Sequence, residues 1–341
     1  MPNVEPELLE TFCGDILAGA GMETPTERIV AHHLVEAEMK GVVSHGVNRV
    51  AYYLDLFENG GARPVGAITA TRRTSTVVHV DGGGGLGIPA MEHAVDELLD
   101  MGRDQAIVCA GITDVAHTCR MGAYSERLAR AGKFAVGFGG GGSERFPLVA
   151  AHGGRGGTLS TNPWALAMEA GDAGMVSADF ATCVVANGKV SVRRRTGEPV
   201  PEGWLIDSQG NPTTSIDAYD DGGALLPAGA YKGSALATIA ELVGGAMLGD
   251  PFEFNWLLIA LDVDAFGMGA GYAEAAAREV ARIRATPPAP GFDKVRVAGD
   301  PEAEKEALAR AQGITLHDGV WQGLIGAAAK AGVAVPENLA A

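Results

Sequence analysis

The sequence predicts an α/β fold whose two chain ends are both helical. Three helical segments follow one another before residue 60. Strands and helices then alternate from residue 76 to residue 138, and two more helical segments close the chain. With 341 residues, 47% of them apolar, the chain can bury a large core and build two or three lobes.

The first two helices are read over residues 5–21 and 25–40. Thr24 offers an N-cap, Pro25 takes the first helical position, Glu27 completes a capping box, and Gly41 ends the run. Ser44 can cap a third helix over about 45–59, which Gly60 and Gly61 terminate. The β-branched run at 76–80 reads as a strand, 88–101 as a helix, 106–110 as a buried strand, 120–131 as a helix and 134–138 as a strand. Residues 158–196 read as further strands around a turn at Thr161-Asn162-Pro163. Residues 197–230, rich in Gly, Pro and Asp, read as loop. An apolar helix at 233–248, a strand at 257–263 and a helix at 270–285 precede a proline-rich linker at 287–291. Helices at 301–312 and 318–332 can return to the N-terminal helices and close one helical lobe from both ends.

Charge and cysteine content exclude several function classes. The 42 acidic residues outnumber the 26 Lys and Arg, giving a formal charge of -16. Such a chain repels phosphate backbones and anionic bilayers, so neither nucleic acid nor membrane is expected as a partner. The four cysteines are far apart and form no CxxC pair, so no metal cluster or redox dithiol is indicated. Free thiols, and a first ten residues without an apolar signal core, predict a cytoplasmic protein. No apolar run approaches the roughly 20 residues that span a bilayer.

Gly82-x-Gly84-x-x-Gly87 follows a strand and precedes a helix, the order of a dinucleotide-binding fingerprint. A run of four glycines also matches many spacings by chance, and a tight strand-to-helix turn accounts for it equally. Ser44-His45-Gly46-Val47-Asn48-Arg49 carries more chemistry. His45 and Arg49 are four apart and share a helix face. Arg can hold a carboxylate at two points, and His titrates near neutral pH. The alternative is an N-cap followed by two solvated side chains. His117 lies just past a buried strand, where sites gather in α/β lobes, or is a surface loop histidine. Lys189 and Lys232 can each meet a phosphate or a polarised carbonyl, or be solvated charges. No HExxH, GxSxG or Walker loop is present.

Taken in order, these pieces resemble the malate/L-lactate dehydrogenase family, which is unrelated to the Rossmann-type enzymes of similar name. That family includes sulfolactate, ureidoglycolate and diketogulonate oxidoreductases and reductases of piperideine- and pyrroline-2-carboxylate. The matching pieces begin with Ser44-His45-Gly46-Val47-x-Arg49, His117 with Gly122-Ala123-Tyr124, and Ser160-Thr161-Asn162-Pro163. They continue with Asp179-Phe180-Ala181-Thr182, Asn187-Gly188-Lys189, Gly210-Asn211-Pro212-Thr213 and Lys232-Gly233. The likeness runs nearly end to end.

The resemblance implies a non-Rossmann cofactor lobe, NAD or NADP as cofactor, a small carboxylate substrate and a homodimer. It implies a helical lobe with substrate-side residues from 1–70 plus 300–341, and a cofactor-binding lobe over 71–299. It places His45 and Arg49 at the substrate, Arg49 on its carboxylate and Ser44 behind His45. His117 or His45 moves the proton, the branches of the family differing on which. Thr161 matches a substrate-side position. His117, Thr118, Cys119, Arg120, Met121, Asp179, Phe180, Ala181, Lys232 and Gly233 match cofactor-contacting stretches. Departures from the pattern include Asp114 where Asn is common, and Arg120, a candidate for a cofactor phosphate. Lys189 stands where imine reductases carry Asp, which favours 2-hydroxy acid oxidation, since a lysine can steady a developing alkoxide. The alternatives are NADPH-dependent reduction of a cyclic imino acid and a non-catalytic cofactor-binding protein.

Overall fold

The computed structural model describes residues 2–336 and 339. The N-terminal part runs β1 (Asn3–Val4), α1 (Pro6–Gly19), α2 (Thr26–Met39), a 3-10 turn (Val43–His45) and α3 (Arg49–Asn59). The central part runs β2 (Thr69–Arg72), β3 (Val77–Gly85), α4 (Gly87–Met101), β4 (Ile107–Val115), α5 (Gly122–Arg130), β5 (Lys133–Gly140), β6 (Trp164–Glu169) and β7 (Met175–Phe180). Next come α6 (Asn187–Thr196), β8 (Leu205–Ile206), β9 (Pro212–Thr213), α7 (Ile216–Asp220) and β10 (Ala224–Leu225). The chain closes with α8 (Tyr231–Glu241) and its π-helical extension (Leu242–Met247), β11 (Asn255–Asp262), α9 (Ala270–Arg284), α10 (Asp300–Gln312), β12 (Ile314–Thr315) and α11 (Asp318–Lys330).

The main sheet has the order β2-β3-β4-β11-β5-β6-β7. Only β3 and β4 are parallel, and every other neighbouring pair is antiparallel. A doubly wound nucleotide fold needs parallel strands around a switch point, so this sheet is not one. The glycine run shows why the fingerprint reading fails. Gly82 and Gly85 lie within β3 itself, at a shift of register against β4. A Cβ on Gly82 would stand 2.3 Å from Val115 Cγ1, and one on Gly85 would stand 2.9 Å from Gly66 Cα. These glycines let backbones approach rather than cradle a phosphate.

Both chain ends share one core. Phe12, Ile16 and Leu17 of α1, Leu34 and Val35 of α2 and Val50 and Tyr53 of α3 pack with Trp321 and Leu324 of α11. The strand pair β1–β12 ties the ends together by backbone hydrogen bonds. A second core, with Met91, Leu98, Ile112, Tyr124 and Leu258, fills the space between the sheet and α4 and α5. A third, with Val149, Val190, Leu205 and Leu225, lies under α6 and the small β10-β8-β9 sheet. Residues 1, 337, 338, 340 and 341 of the expected helical lobe lie outside the described residues.

Four local readings change. Thr24 does not cap α2. Its Oγ1 donates to Glu27 Oε1 at 2.9 Å, and the helix opens at Thr26. Ser44 does not cap a helix either. Gly46 is extended (ψ -156°), which interrupts the helical path, so α3 opens only at Arg49. Residues 187–196 form helix α6, not a strand, ended by Gly197 in the left-handed region at φ 70°. The apolar helix starts at Tyr231 and widens to a π-helix at Leu242. The widening coincides with a close backbone approach: a Cβ on Gly244 would meet Gly140 C at 2.1 Å.

Candidate active site

An open cleft of about 2150 Å³ runs between the helical lobe and the β7 edge of the sheet. Ser44, His45 and Arg49 form part of one wall, brought there by the 3-10 turn and the first residue of α3. Ser44 Oγ is 3.0 Å from His45 Nδ1, so the hydroxyl can fix the imidazole tautomer. Arg49 Nε donates to the Ser44 carbonyl at 2.7 Å, and its guanidinium carbon lies 5.3 Å from the Tyr52 ring centroid. The turn therefore anchors the arginine through its inner nitrogen.

His117, just beyond β4, stacks on His45 with centroids 5.8 Å apart and planes 16° from parallel. Its Nδ1 is 3.0 Å from the Tyr53 hydroxyl, and Tyr52 meets it edge-on at 5.9 Å. Burial, with the positive charges of Arg49 and Arg120, pushes His45 down to about 4. Burial and the Arg49 charge hold His117 well below the ordinary histidine range. Both imidazoles are therefore held in the neutral form at pH 7, each with one ring nitrogen carrying a lone pair that can accept a hydrogen bond. Sequence reasoning missed Tyr52 and Tyr53. Their spacing of three and four from Arg49 on one helix is the signal that could have found them.

The loop at 117–121 is locked to this turn. Cys119 takes φ 64°, and its Sγ donates to the His45 carbonyl at 3.0 Å. Burial pushes that thiol up to about 11, so it stays protonated. Thr118 is buried and its carbonyl accepts the Tyr124 hydroxyl at 2.6 Å, and Met121 is buried in the second core. The Arg120 amide donates to His33 Nε2 at 3.2 Å. Burial, helped by Arg120, pushes His33 down to about 3, which keeps it a neutral acceptor.

The Arg120 side chain corrects an expectation. It is 4% exposed and its terminal nitrogens are engaged: Nη1 with Glu126 Oε1 at 2.8 Å, Nη2 with Glu126 Oε2 at 3.0 Å and with Glu36 at 3.2 Å. Lys40 joins the cluster at 3.4 Å from Glu126 and 2.7 Å from Glu306. This guanidinium neutralises buried carboxylates and is not free for a phosphate. Among the described residues its Nε has no partner.

Opposite, Thr161, Asp179, Phe180, Ala181 and Lys189 line the same cleft. Asp179 Oδ2 accepts the Gly122 amide at 2.7 Å and so caps α5. The Thr161 carbonyl takes both the amide and the hydroxyl of Thr182. Lys189 sits in the first turn of α6, and Gly188 brings that turn against Ser44, a Cβ there lying 3.7 Å from Ser44 Cβ. Lys232 and Gly233 are not gathered with the rest. They open α8 on the far side of Thr182, where Lys232 Nζ lies 6.0 Å from the Tyr231 ring centroid and Gly233 packs on the Thr182 carbonyl.

The cleft suits a dinucleotide on two observations. It is larger than the ~300–1,000 Å³ of usual small-molecule sites. In a chain of charge -16 its lining also carries eight Lys and Arg against five Asp and Glu. Arg130, Arg194, Arg284 and Arg296 are paired with carboxylates, and Arg49 and Lys189 form no ion pair among the described residues. No helix among the described residues is long and apolar enough to cross a membrane.

Residues 4–325 match the malate/L-lactate dehydrogenase family. The L-lactate dehydrogenase of Cupriavidus necator is 33% identical over 337 residues, covering 94% of this chain and 96% of that protein. The (2R)-3-sulfolactate dehydrogenase (NADP(+)) of Chromohalobacter salexigens is 33% identical, with 72% of each chain covered. The structure of malate dehydrogenase from Pyrococcus horikoshii superimposes with a TM-score of 0.87 at 25% identity, covering 98% of this chain and 97% of that one. With its non-Rossmann sheet, its helical lobe from both ends and this end-to-end similarity, the chain belongs to the malate/L-lactate dehydrogenase family.

Proposed function

We propose that this chain is an NAD(P)-dependent oxidoreductase that interconverts a small 2-hydroxy acid and its 2-oxo acid. The observation that carries the reading is that Arg49 and His45 line one wall of the cleft, with the neutral His45 ring stacked on that of His117 behind it. A bound nicotinamide supplies the hydride acceptor and donor. The protein's own residues supply position and proton transfer.

Arg49 holds the substrate carboxylate, its Nε already fixed by the Ser44 carbonyl. A neutral imidazole of the stacked pair takes the hydroxyl proton as the carbonyl forms, and returns it in reduction. Ser44 and Tyr53 fix the tautomers at the Nδ1 atoms of His45 and His117. Lys189, in the first turn of α6 next to the Gly188 that meets Ser44, steadies the developing alkoxide. Thr161, Met121 and the Asp179–Ala181 segment form the wall along which the cofactor lies. The working unit is a homodimer in the cytoplasm. Its free thiols suit a reducing compartment, and exposed Ile239, Leu242 and Met247 offer α8 and its extension as an apolar contact.

The test is nicotinamide absorbance with NAD and NADP against malate, lactate, sulfolactate, ureidoglycolate and diketogulonate. Turnover of at least one hydroxy acid is expected. Turnover only with pyrroline- or piperideine-2-carboxylate would move the reading to imine reduction, and silence across the panel would end it. His45→Ala and Arg49→Ala each lose activity by about 100-fold or more and still bind cofactor. Loss of cofactor binding in Arg49→Ala contradicts its placement.

A further inference from the structure

Glu38 is a buried carboxylate with no cation beside it among the described residues. It is 8% exposed and, among the described residues, forms no ion pair. Its Oε2 accepts the Val47 amide at 3.1 Å. It also fills the space beneath Gly46, where a Cβ would stand 1.8 Å from Oε2 and 2.9 Å from Cδ. The carboxylate thus touches two of the three residues that join the Ser44–His45 turn to Arg49. Two sequence features become one device: a glycine at position 46 leaves room for Glu38, and Glu38 then fixes the extended backbone that interrupts the helix there.

We propose that Glu38 is a positioning residue that holds the Ser44–Arg49 segment in its working conformation by accepting the Val47 amide and packing beneath Gly46. An unpaired buried carboxylate costs stability, and an apolar residue at this core position would not. The cost is explained if it sets the geometry of a site. His45 and Arg49 flank the Gly46–Val47 link, so a shift there displaces the imidazole from the hydroxyl and the guanidinium from the carboxylate. Displacements of about 1 Å suffice to lower turnover strongly.

The surroundings sharpen the inference. Burial pushes the Glu38 carboxyl up to about 7, the Val47 amide opposing that rise. Cys13 of α1 faces the same carboxyl, and its thiol is itself pushed up by burial and by Glu38. With no cation opposite, the Val47 amide is the partner that favours the ionised form. The inference rests on the hydroxy-acid reading for what the turn accomplishes, but the positioning itself can be measured without turnover.

The experiment compares full-length wild type, Glu38→Gln and Glu38→Ala by two readouts. One is hydrogen exchange of the peptide covering residues 42–50, corrected for intrinsic rates and followed from pH 5.5 to 9. The other is kcat and KM for the hydroxy acid that wild type turns over, with cofactor affinity measured by nicotinamide fluorescence. In wild type, protection of this peptide falls below about pH 7, as the carboxylate protonates and its charge-assisted bond weakens. Glu38→Gln keeps an amide oxygen for Val47. It gives protection that no longer varies over this range and kcat/KM within about threefold of wild type. Glu38→Ala loses protection and about 10- to 100-fold in kcat/KM, with cofactor affinity unchanged. Wild-type protection and kinetics in Glu38→Ala overturn the proposal, and so does a Glu38→Gln variant whose protection still tracks pH as wild type does. If Glu38→Ala fails to fold, the Glu38→Gln profile still decides. If wild type turns over nothing, the hydroxy-acid reading falls while the exchange data judge Glu38 separately.

Discussion

Replacing Arg120 by methionine distinguishes two roles its place in the sequence allows. If the guanidinium met a cofactor phosphate, the substitution would weaken cofactor binding and leave the fold intact. The structure assigns it the opposite behaviour. Arg120 bonds both oxygens of Glu126 and reaches Glu36, with 3% of its side chain exposed against 4% for that of Glu126. Burial alone would raise the Glu126 carboxyl, but the Arg120 hydrogen bond and the Arg120 and Lys40 charges hold it down to about 2. Removing the arginine leaves a buried carboxylate, a change that costs about 3–5 kcal/mol in comparable pairs. Lys40 at 3.4 Å and Arg130 at 3.6 Å remain beside Glu126, which places the expected loss at the low end, about 3 kcal/mol. Urea unfolding followed by circular dichroism at pH 7.5 measures it, with cofactor affinity determined under native conditions. The paired change Arg120→Met with Glu126→Met should recover much of the loss, because no lone charge is then buried. A stability loss under about 1 kcal/mol together with a large fall in cofactor affinity would refute this account.

Further outcomes follow from the same geometry. Stability should fall as pH drops from 6.5 toward 4, because His45 and His33 in the folded chain refuse protons that the unfolded chain accepts. His117 acts in the same sense. Glu38, Glu92, Glu253 and Asp179, raised by burial, work oppositely, but of these only Glu38 is moved as far as about 7, so urea midpoints at pH 7.5, 6 and 5 should decrease in that order. Tyr53→Phe removes the partner of His117 Nδ1 and should lower stability by about 1–2 kcal/mol, measured by thermal unfolding, with a fall in kcat larger than any change in KM. Gly244→Ala forces a methyl against the β5 backbone and should cost about 3 kcal/mol or more, or yield insoluble protein, by expression and urea titration.

The layout of elements was legible because it rests on periodicity and punctuation. The glycines at 41 and 60 adopt left-handed backbone at the ends of α2 and α3, and the strand–helix alternation from 77 to 140 is present in order. What misled was local ambiguity. Four glycines in a row fit a nucleotide fingerprint by spacing, yet the β3–β4 register uses them for close packing. Residues 187–196 lack a clear apolar period, so their helical state is settled by packing against the third core.

The sequence by itself determined the family, the two helical chain ends and the gathering of Ser44, His45 and Arg49, since three residues within a six-residue stretch cannot lie far apart. Only the tertiary structure decided the rest. It stacked His117 on His45 across 72 positions, brought Tyr53 to the second imidazole and tied the Arg120 guanidinium at the cleft wall to Glu126. It also left Lys232 beyond Thr182 and set Glu38 beneath Gly46. The physical reason is that a side chain's role follows from what burial removes and which partner compensates, and both depend on residues distant in the chain.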